Sequence, residues 1–254
     1  NFNPINGTYP SAESIEKDLN ILLEAGFNGI ITYGSDNALM AIPEIAKNMG
    51  FQGIIMGIWD IRDPREKDNA LAMSGYVDGY CMGNEGLSIR YEVDELKKAI
   101  DELRDKSRLP VTTSEEINDY AKQYVVELGD WVFPNVHPYF SNVTQPAKAV
   151  SWIGKYYKIL KRAAGADKPI LFKEVSLPTK GDDRCNEKNQ RDFFILMEFS
   201  EVKFAYFEAF DQAWKTHAPV EPHWGLFDRK RRPKKFIAEM LTRQADVKVK
   251  TKTL

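Results

Sequence analysis

Eight times along its length this chain passes from a short apolar run into an amphipathic one, and that alternation restricts its fold more than any other feature. The apolar runs read as strands at 1–5, 28–33, 52–59, 77–83, 110–114, 130–136, 169–174 and 202–210. Most are too apolar to leave one face in water, which argues for a parallel sheet covered by helices. The intervening stretches carry helical spacing. Ser11 and Ser14 offer caps before Ile15, Leu19, Leu22 and Leu23, and Leu96, Ile100 and Leu103 form one stripe of a helix over 92–106. Further helices are expected at about 37–49, 65–74, 117–128, 145–164, 189–201 and 236–244.

Eight repeats within 254 residues fit one closed (β/α)8 TIM barrel better than an open doubly wound sheet. A single domain over 1–254 is therefore expected. No G-x-G-x-x-G follows the first strand and no P-loop is present, so a nucleotide-binding fold has no motif behind it. A net charge of -2 argues against a nucleic-acid partner. No apolar run is long enough to span a bilayer, and membrane insertion by this segment is not expected. The chain begins at Asn1 without a methionine or signal peptide, which says little about its compartment. The Lys-rich stretch after Ala245 is expected to fray. Cys81 and Cys185 make no disulfide framework.

In such barrels the carboxyl ends of strands carry the chemistry. Those ends present Tyr33, Trp59, Asn84-Glu85, Glu115, His137-Pro138-Tyr139, Glu174, Phe210-Asp211 and Trp214-Lys215. Carboxylates suit acid–base work, and aromatic faces suit the apolar surface of sugar rings. Glu85 and Glu174 each end an apolar strand, and two carboxyls so presented could serve as the general acid and the nucleophile of glycoside hydrolysis. Each glutamate taken singly also fits an ordinary solvated or paired group, His137 a structural hydrogen-bond donor, and the aromatics rim packing. His217, Glu221 and His223 do not have a recognised zinc spacing; no metal and no cofactor is expected.

These strand-end blocks resemble glycoside hydrolase family 17, the (β/α)8 β-1,3-glucanases and glucanosyltransferases, especially its bacterial and fungal branches. The likeness runs through Ile31-Thr32-Tyr33-Gly34, Gly57-Ile58-Trp59, Gly83-Asn84-Glu85, Val111-Thr112-Thr113, His137-Pro138-Tyr139-Phe140, Asn189-Gln190, Tyr206 to Asp211, Trp214-Lys215 and His223 to Phe227. The resemblance implies that Glu85 is the acid/base and Glu174 the nucleophile of a retaining β-glucan hydrolase, most simply acting on β-1,3 links. In such an enzyme the carboxyls lie roughly 5 Å apart. It implies that Asn84 binds the sugar hydroxyl beside the anomeric carbon, that Tyr33 and Tyr139 line the cleft near the nucleophile, and that Trp214 stacks on glucose. Glu208, Asp211 and Lys215 join the implied sugar-binding set. It further implies a β-glucan oligo- or polysaccharide partner, a monomeric state, and a periplasmic, extracellular or envelope location.

Two departures stand out. Where the family follows its nucleophile with Thr-Gly-Trp-Pro-Ser, this chain has Val175-Ser176-Leu177-Pro178-Thr179, and Gln212 replaces a common acidic residue. Transfer of glucosyl units with the same residue pair, and a barrel that binds glucan without catalysis, are the alternative readings. Retention of both glutamates and Asn84 counts against the second.

Overall fold

The computed structural model describes residues 3–239 and 241. Its strands, in chain order, are β1 (Gly29–Ile31), β2 (Gly53–Ile58), β3 (Gly79–Met82), β4 (Val111–Thr112), β5 (Asn135–Val136), β6 (Phe172–Val175) and β7 (Phe204–Tyr206). Its α-helices are α1 (Ala12–Glu24), α2 (Ile42–Met49), α3 (Pro64–Ala72), α4 (Val93–Ser107), α5 (Gln123–Glu127), α6 (Pro146–Ala164) and α7 (Glu187–Glu198). Every strand pair is parallel, in the orders β1-β2-β3-β4 and β5-β6-β7. An isolated parallel bridge, Glu116 to Asn135, carries the first sheet into the second. The alternating α/β architecture expected from the sequence is present, but no pairing joins β7 to β1 among the described residues, so the ring of strands is not closed.

The missing closure traces to the amino-terminal segment, where the expected strand at 1–5 is not found. Residues 1 and 2 lie outside the described set, and Pro4–Asn6 form a 3-10 turn. Pro4 has no N–H to give a ladder. The Asn3 side chain accepts from Ile5 N, and Gly7 closes the turn in the left-handed region at φ 70°. A tight turn satisfies these groups locally, and Asn3 pairs only with Thr8.

Other expected elements are shortened for identifiable reasons. Pro134 interrupts the expected strand over 130–136, leaving β5 and a separate bridge from Val132 to Ile170. The expected helix over 117–128 becomes a 3-10 turn, Asp119–Ala121, followed by α5, because Lys122 between them is extended. α2 follows directly on a 3-10 segment, Asn37–Ala41, with Pro43 in its first turn, so the expected helix over 37–49 is divided in two. Residues 235–239 are helical; part of the expected closing helix over 236–244 and the Lys-rich tail lie outside the described residues.

The core follows the sequence pattern. β3 is buried throughout because β2 and β4 flank it and helices cover it, as a continuous apolar run requires. Leu96, Ala99, Ile100 and Leu103 of α4, at helical spacing, face inward. Ile54, Met56 and Ile58 of β2 are fully buried, each contributing about 1.5–3 kcal/mol by leaving water. No helix among the described residues is long and apolar enough to cross a membrane.

Candidate active site

The carboxyl ends of the strands surround a cavity of about 1560 Å³ that contains Tyr33, Asn84, Glu85, Asn135, His137, Lys173, Glu174, Glu208, Trp214 and Lys215. These side chains arrive from five strands or the segments that follow them: Tyr33 after β1, Asn84 and Glu85 after β3, Asn135 and His137 from β5, Lys173 and Glu174 from β6, and Glu208, Trp214 and Lys215 after β7. The cavity continues between β1 and β7, where Leu22, Phe27, Ile30, Phe194 and Phe204 line it.

The loop after β3 sets Glu85. Gly83 and Gly86 lie under Tyr91, so close that a β-carbon on either would stand 2.2 or 2.3 Å from that side chain. Glu85 itself sits in the left-handed region at φ 50°, and its N–H donates to Ser114 O at 2.8 Å. The buried Glu115 carboxylate holds the rest of this loop, accepting from Leu87 N and, more weakly, from Tyr91 OH. Burial pushes the Glu115 carboxyl up to about 7. Arg90 stacks 4.5 Å from the Trp59 ring and donates to the carbonyls of Trp59 and Asn84.

Glu174 is presented by an irregular strand. β6 pairs with β7 at Phe172–Phe204 and again at Val175–Tyr206, so three residue steps oppose two. That is a β-bulge, a device that re-aims side chains beside active sites. Both Lys173 and Glu174 thereby reach the cavity.

The Glu174 carboxylate, 5% exposed, is surrounded by donors. Tyr33 OH donates to Oε1 at 2.8 Å, Lys173 Nζ lies 3.3 Å from Oε1, and His137 Nε2 lies 3.0 Å from Oε2. A carboxylate facing the ring fixes Nε2 as the protonated nitrogen; the buried Nδ1 has no hydrogen-bond partner among the described residues. Burial alone would raise the Glu174 pKa, but the Lys173 charge, His137 and the Tyr33 hydrogen bond outweigh it and hold the group at about 2. The same burial and the facing Glu174 charge raise the Tyr33 hydroxyl pKa, keeping it a donor.

Glu85 has the opposite surroundings. Burial, then the Glu174 charge, raise its pKa, and the one hydrogen bond that opposes this is from Asn135 Nδ2 to Oε1 at 2.7 Å. The carboxyls are linked through side chains. Asn135 Nδ2 also donates to Asn84 Oδ1 at 3.1 Å, Lys173 Nζ donates to the same oxygen, and Lys173 reaches Glu174. Ser114 Oγ donates to Asn135 Oδ1 at 2.8 Å, which fixes the Asn135 amide. Two carboxyls whose surroundings push their pKa values in opposite directions therefore face a shared cleft.

The remaining expected residues divide. Lys215 holds Glu208 through both carboxylate oxygens at 2.9 and 3.0 Å, over the Phe207 ring. Burial nonetheless pushes the Glu208 carboxyl up to about 7. Trp214 lines the cavity, and its Nε1 donates to Gln212 Oε1 at 3.0 Å, which gives the departure at 212 an orienting task. Tyr139 and Asp211 are not among the residues lining the cavity. The Tyr139 hydroxyl turns to Asp182, and Asp211 accepts from Gly225 N and Lys234 Nζ. Leu177 packs in the core at 2% exposure, so the replacement of Trp there falls inside the fold.

Lys173, Asn135 and Ser114 are site residues that the strand-end reading did not single out, and His137 proves to touch the carboxylate directly. Lys173 had a usable signal: a lysine inside an apolar strand must find a buried partner. Among the described residues no cluster of His, Cys, Asp and Glu comes together that could hold a metal.

The sequence profile of the BtgE/BtgC glycoside hydrolase domain matches residues 1–225. A protein of Aspergillus niger named as a glucan endo-1,3-beta-glucosidase (btgC) is 24% identical, over 87% of this chain and 39% of its own length. A protein of Candida albicans named glucan 1,3-beta-glucosidase BGL2 is 25% identical, over 87% of this chain and 85% of its own. Among solved structures, CJP38, a β-1,3-glucanase and allergen of Cryptomeria japonica pollen, superposes with a TM-score of 0.71 at 16% identity, covering 87% of this chain and 92% of its own. A β-glucuronidase of Bifidobacterium dentium superposes at 0.70 and 16% identity, covering 93% of this chain and 43% of its own. The chain thus spans about two fifths of the Aspergillus relative it matches.

Proposed function

Because the chain belongs to the BtgE/BtgC glycoside hydrolase domain family, we propose that it is a retaining glycoside hydrolase of the family 17 type, acting on β-1,3-linked glucan from a (β/α)8-type scaffold. The observation that carries this reading is the contrast between two carboxyls in one hydrogen-bonded network: Glu174 faces Tyr33, His137 and Lys173, which hold its pKa at about 2, whereas Glu85 faces one amide and its pKa is raised. The names of the fungal relatives supply the substrate class.

In the first step the ionised Glu174 attacks the anomeric carbon while Glu85 gives its proton to the departing glycosidic oxygen. A glycosyl ester forms on Glu174, and the leaving chain departs as the alcohol. In the second step Glu85, now ionised, takes a proton from water as that water attacks the anomeric carbon, which returns Glu174 as a carboxylate. Tyr33 and His137 hold Glu174 in line for both steps by donating to its two oxygens. Trp214 and Trp59 (47% exposed), both lining the cavity, offer aromatic surface for sugar rings.

The test is product analysis on β-1,3-glucan oligosaccharides, run beside Glu174→Gln. Wild type is expected to give shorter products and the folded variant none. Products longer than the substrate would assign transfer to a sugar acceptor by the same pair. Full activity in the variant would overturn the assignment of Glu174.

A further inference from the structure

We propose that Lys173 is a positioning residue for Asn84: its ammonium fixes the amide with the oxygen inward, so that Asn84 Nδ2 is presented to the sugar hydroxyl beside the reacting carbon. The proposal rests on the retaining-glycosidase reading above and goes beyond it by naming what orients the sugar-binding amide.

An amide can turn over by rotation about its last bond, and the two ends of Asn84 are nearly equal in size. Lysine ammonium, however, only donates. Lys173 Nζ bonds the Asn84 side chain, so the atom facing it must be the oxygen. A second donor points at that oxygen, Asn135 Nδ2, whose own orientation is set by Ser114 Oγ at its Oδ1. With two donors on Oδ1, turning the amide over would set N–H groups against N–H groups. The donor end of Asn84 is thus left for the cleft.

The lysine is placed for this task and has little freedom to leave it. Its side chain is 1% exposed and lies 4.1 Å from the centre of the Tyr33 ring. The β6 bulge turns it toward the same cavity as its neighbour Glu174. A buried charge of this kind must be paired. Glu174 supplies the opposite charge at 3.3 Å, and the Asn84 oxygen supplies a further acceptor. A lysine serving only to balance Glu174 would have no reason to bond an uncharged amide 89 positions away.

The experiment separates positioning from general support. Wild type, Lys173→Met and Lys173→Gln are compared on 4-nitrophenyl β-laminaribioside and on its counterpart lacking the 2-hydroxyl of the reacting ring. Rates are expressed per active site by burst titration. With the 2-hydroxyl present, Lys173→Met should lower kcat about 100-fold with KM nearly unchanged, the scale seen when one preorganised donor is lost. The preference for the 2-hydroxyl substrate should shrink about tenfold, because the coupling between Lys173 and that hydroxyl is what the cycle measures. Lys173→Gln, which can still donate to Asn84, should keep more of that preference than Lys173→Met. An equal fall on both substrates, or no fall, overturns the proposal. Failure of both variants to fold assigns Lys173 to the fold instead and overturns it too. Failure of wild type to release nitrophenol from either substrate would instead remove the glycosidase reading on which the proposal stands.

Discussion

Glu85 and Glu174 are the same residue type with pKa values shifted in opposite directions, and the difference lies in what faces them. Glu174 has three donors, one of them a buried cation; Glu85 has one amide and a facing negative charge. The sign of the pH response follows. The proposed mechanism needs Glu174 ionised, which holds above about 2, and Glu85 protonated, which is lost as pH rises through its elevated pKa. The rate should therefore fall on the alkaline side through Glu85, with little acid-side loss from Glu174 in the ordinary working range. Glu85→Gln should remove that alkaline limb and slow poor leaving groups by about 10²–10⁴, the range for a positioned acid. Substrates with good leaving groups should suffer much less in their first step. A pH profile of kcat/KM on an aryl and an unactivated glucoside checks this; an unchanged alkaline limb in the variant would exclude Glu85 as the acid. The two glutamates were legible in the sequence because each ends an apolar strand. Lys173 showed only that it needed a buried partner, and neither its partner nor those of Asn135 could be read, because they lie 89 and 50–51 positions away.

At the scale of elements, the site depends on loops pinned by buried carboxylates. Glu66 of α3, 5% exposed, accepts from the backbone N–H groups of Ser35, Trp59 and Asp60. It thereby ties the loops after β1 and β2, which carry Tyr33 and Trp59, to one helix. Glu66→Ala would leave the buried Ser35 N–H and the half-buried N–H groups of Trp59 and Asp60 without their acceptor, and it should cost about 3 kcal/mol in denaturant unfolding and lower activity through displaced Tyr33. A loss under about 1 kcal/mol would mean that the loops hold themselves. The elements were readable where both faces of a strand are buried, as in β3, or where a helix stripe is regular, as in α4. They were not readable where a local bond overrides the pattern. Asn3 and Pro4 make a turn out of an expected strand, Pro134 shortens β5, and extended Lys122 divides a helix. The β6 bulge is likewise a matter of register between two strands, which neither strand encodes alone.

At the scale of the molecule, two parallel sheets meet through the Glu116–Asn135 bridge, directly beside the amide that links the two carboxyls. The joint of the fold and the centre of the network share Asn135. The expected circuit of eight strands is not completed among the described residues, and the cavity runs into the unjoined side between β1 and β7. Alternation along the sequence predicts parallel pairing between neighbours, but closure depends on one contact between the first strand and the last. The most direct test of the central claim is covalent trapping. The protein is incubated with 2-deoxy-2-fluoro-β-laminaribiosyl fluoride, whose good leaving group and slowed second step make a glycosyl-enzyme accumulate, and its peptides are read by mass spectrometry. One disaccharide adduct is expected, on Glu174, and none in Glu174→Gln. Turnover of laminari-oligosaccharides with no adduct, or an adduct on another residue, would contradict it.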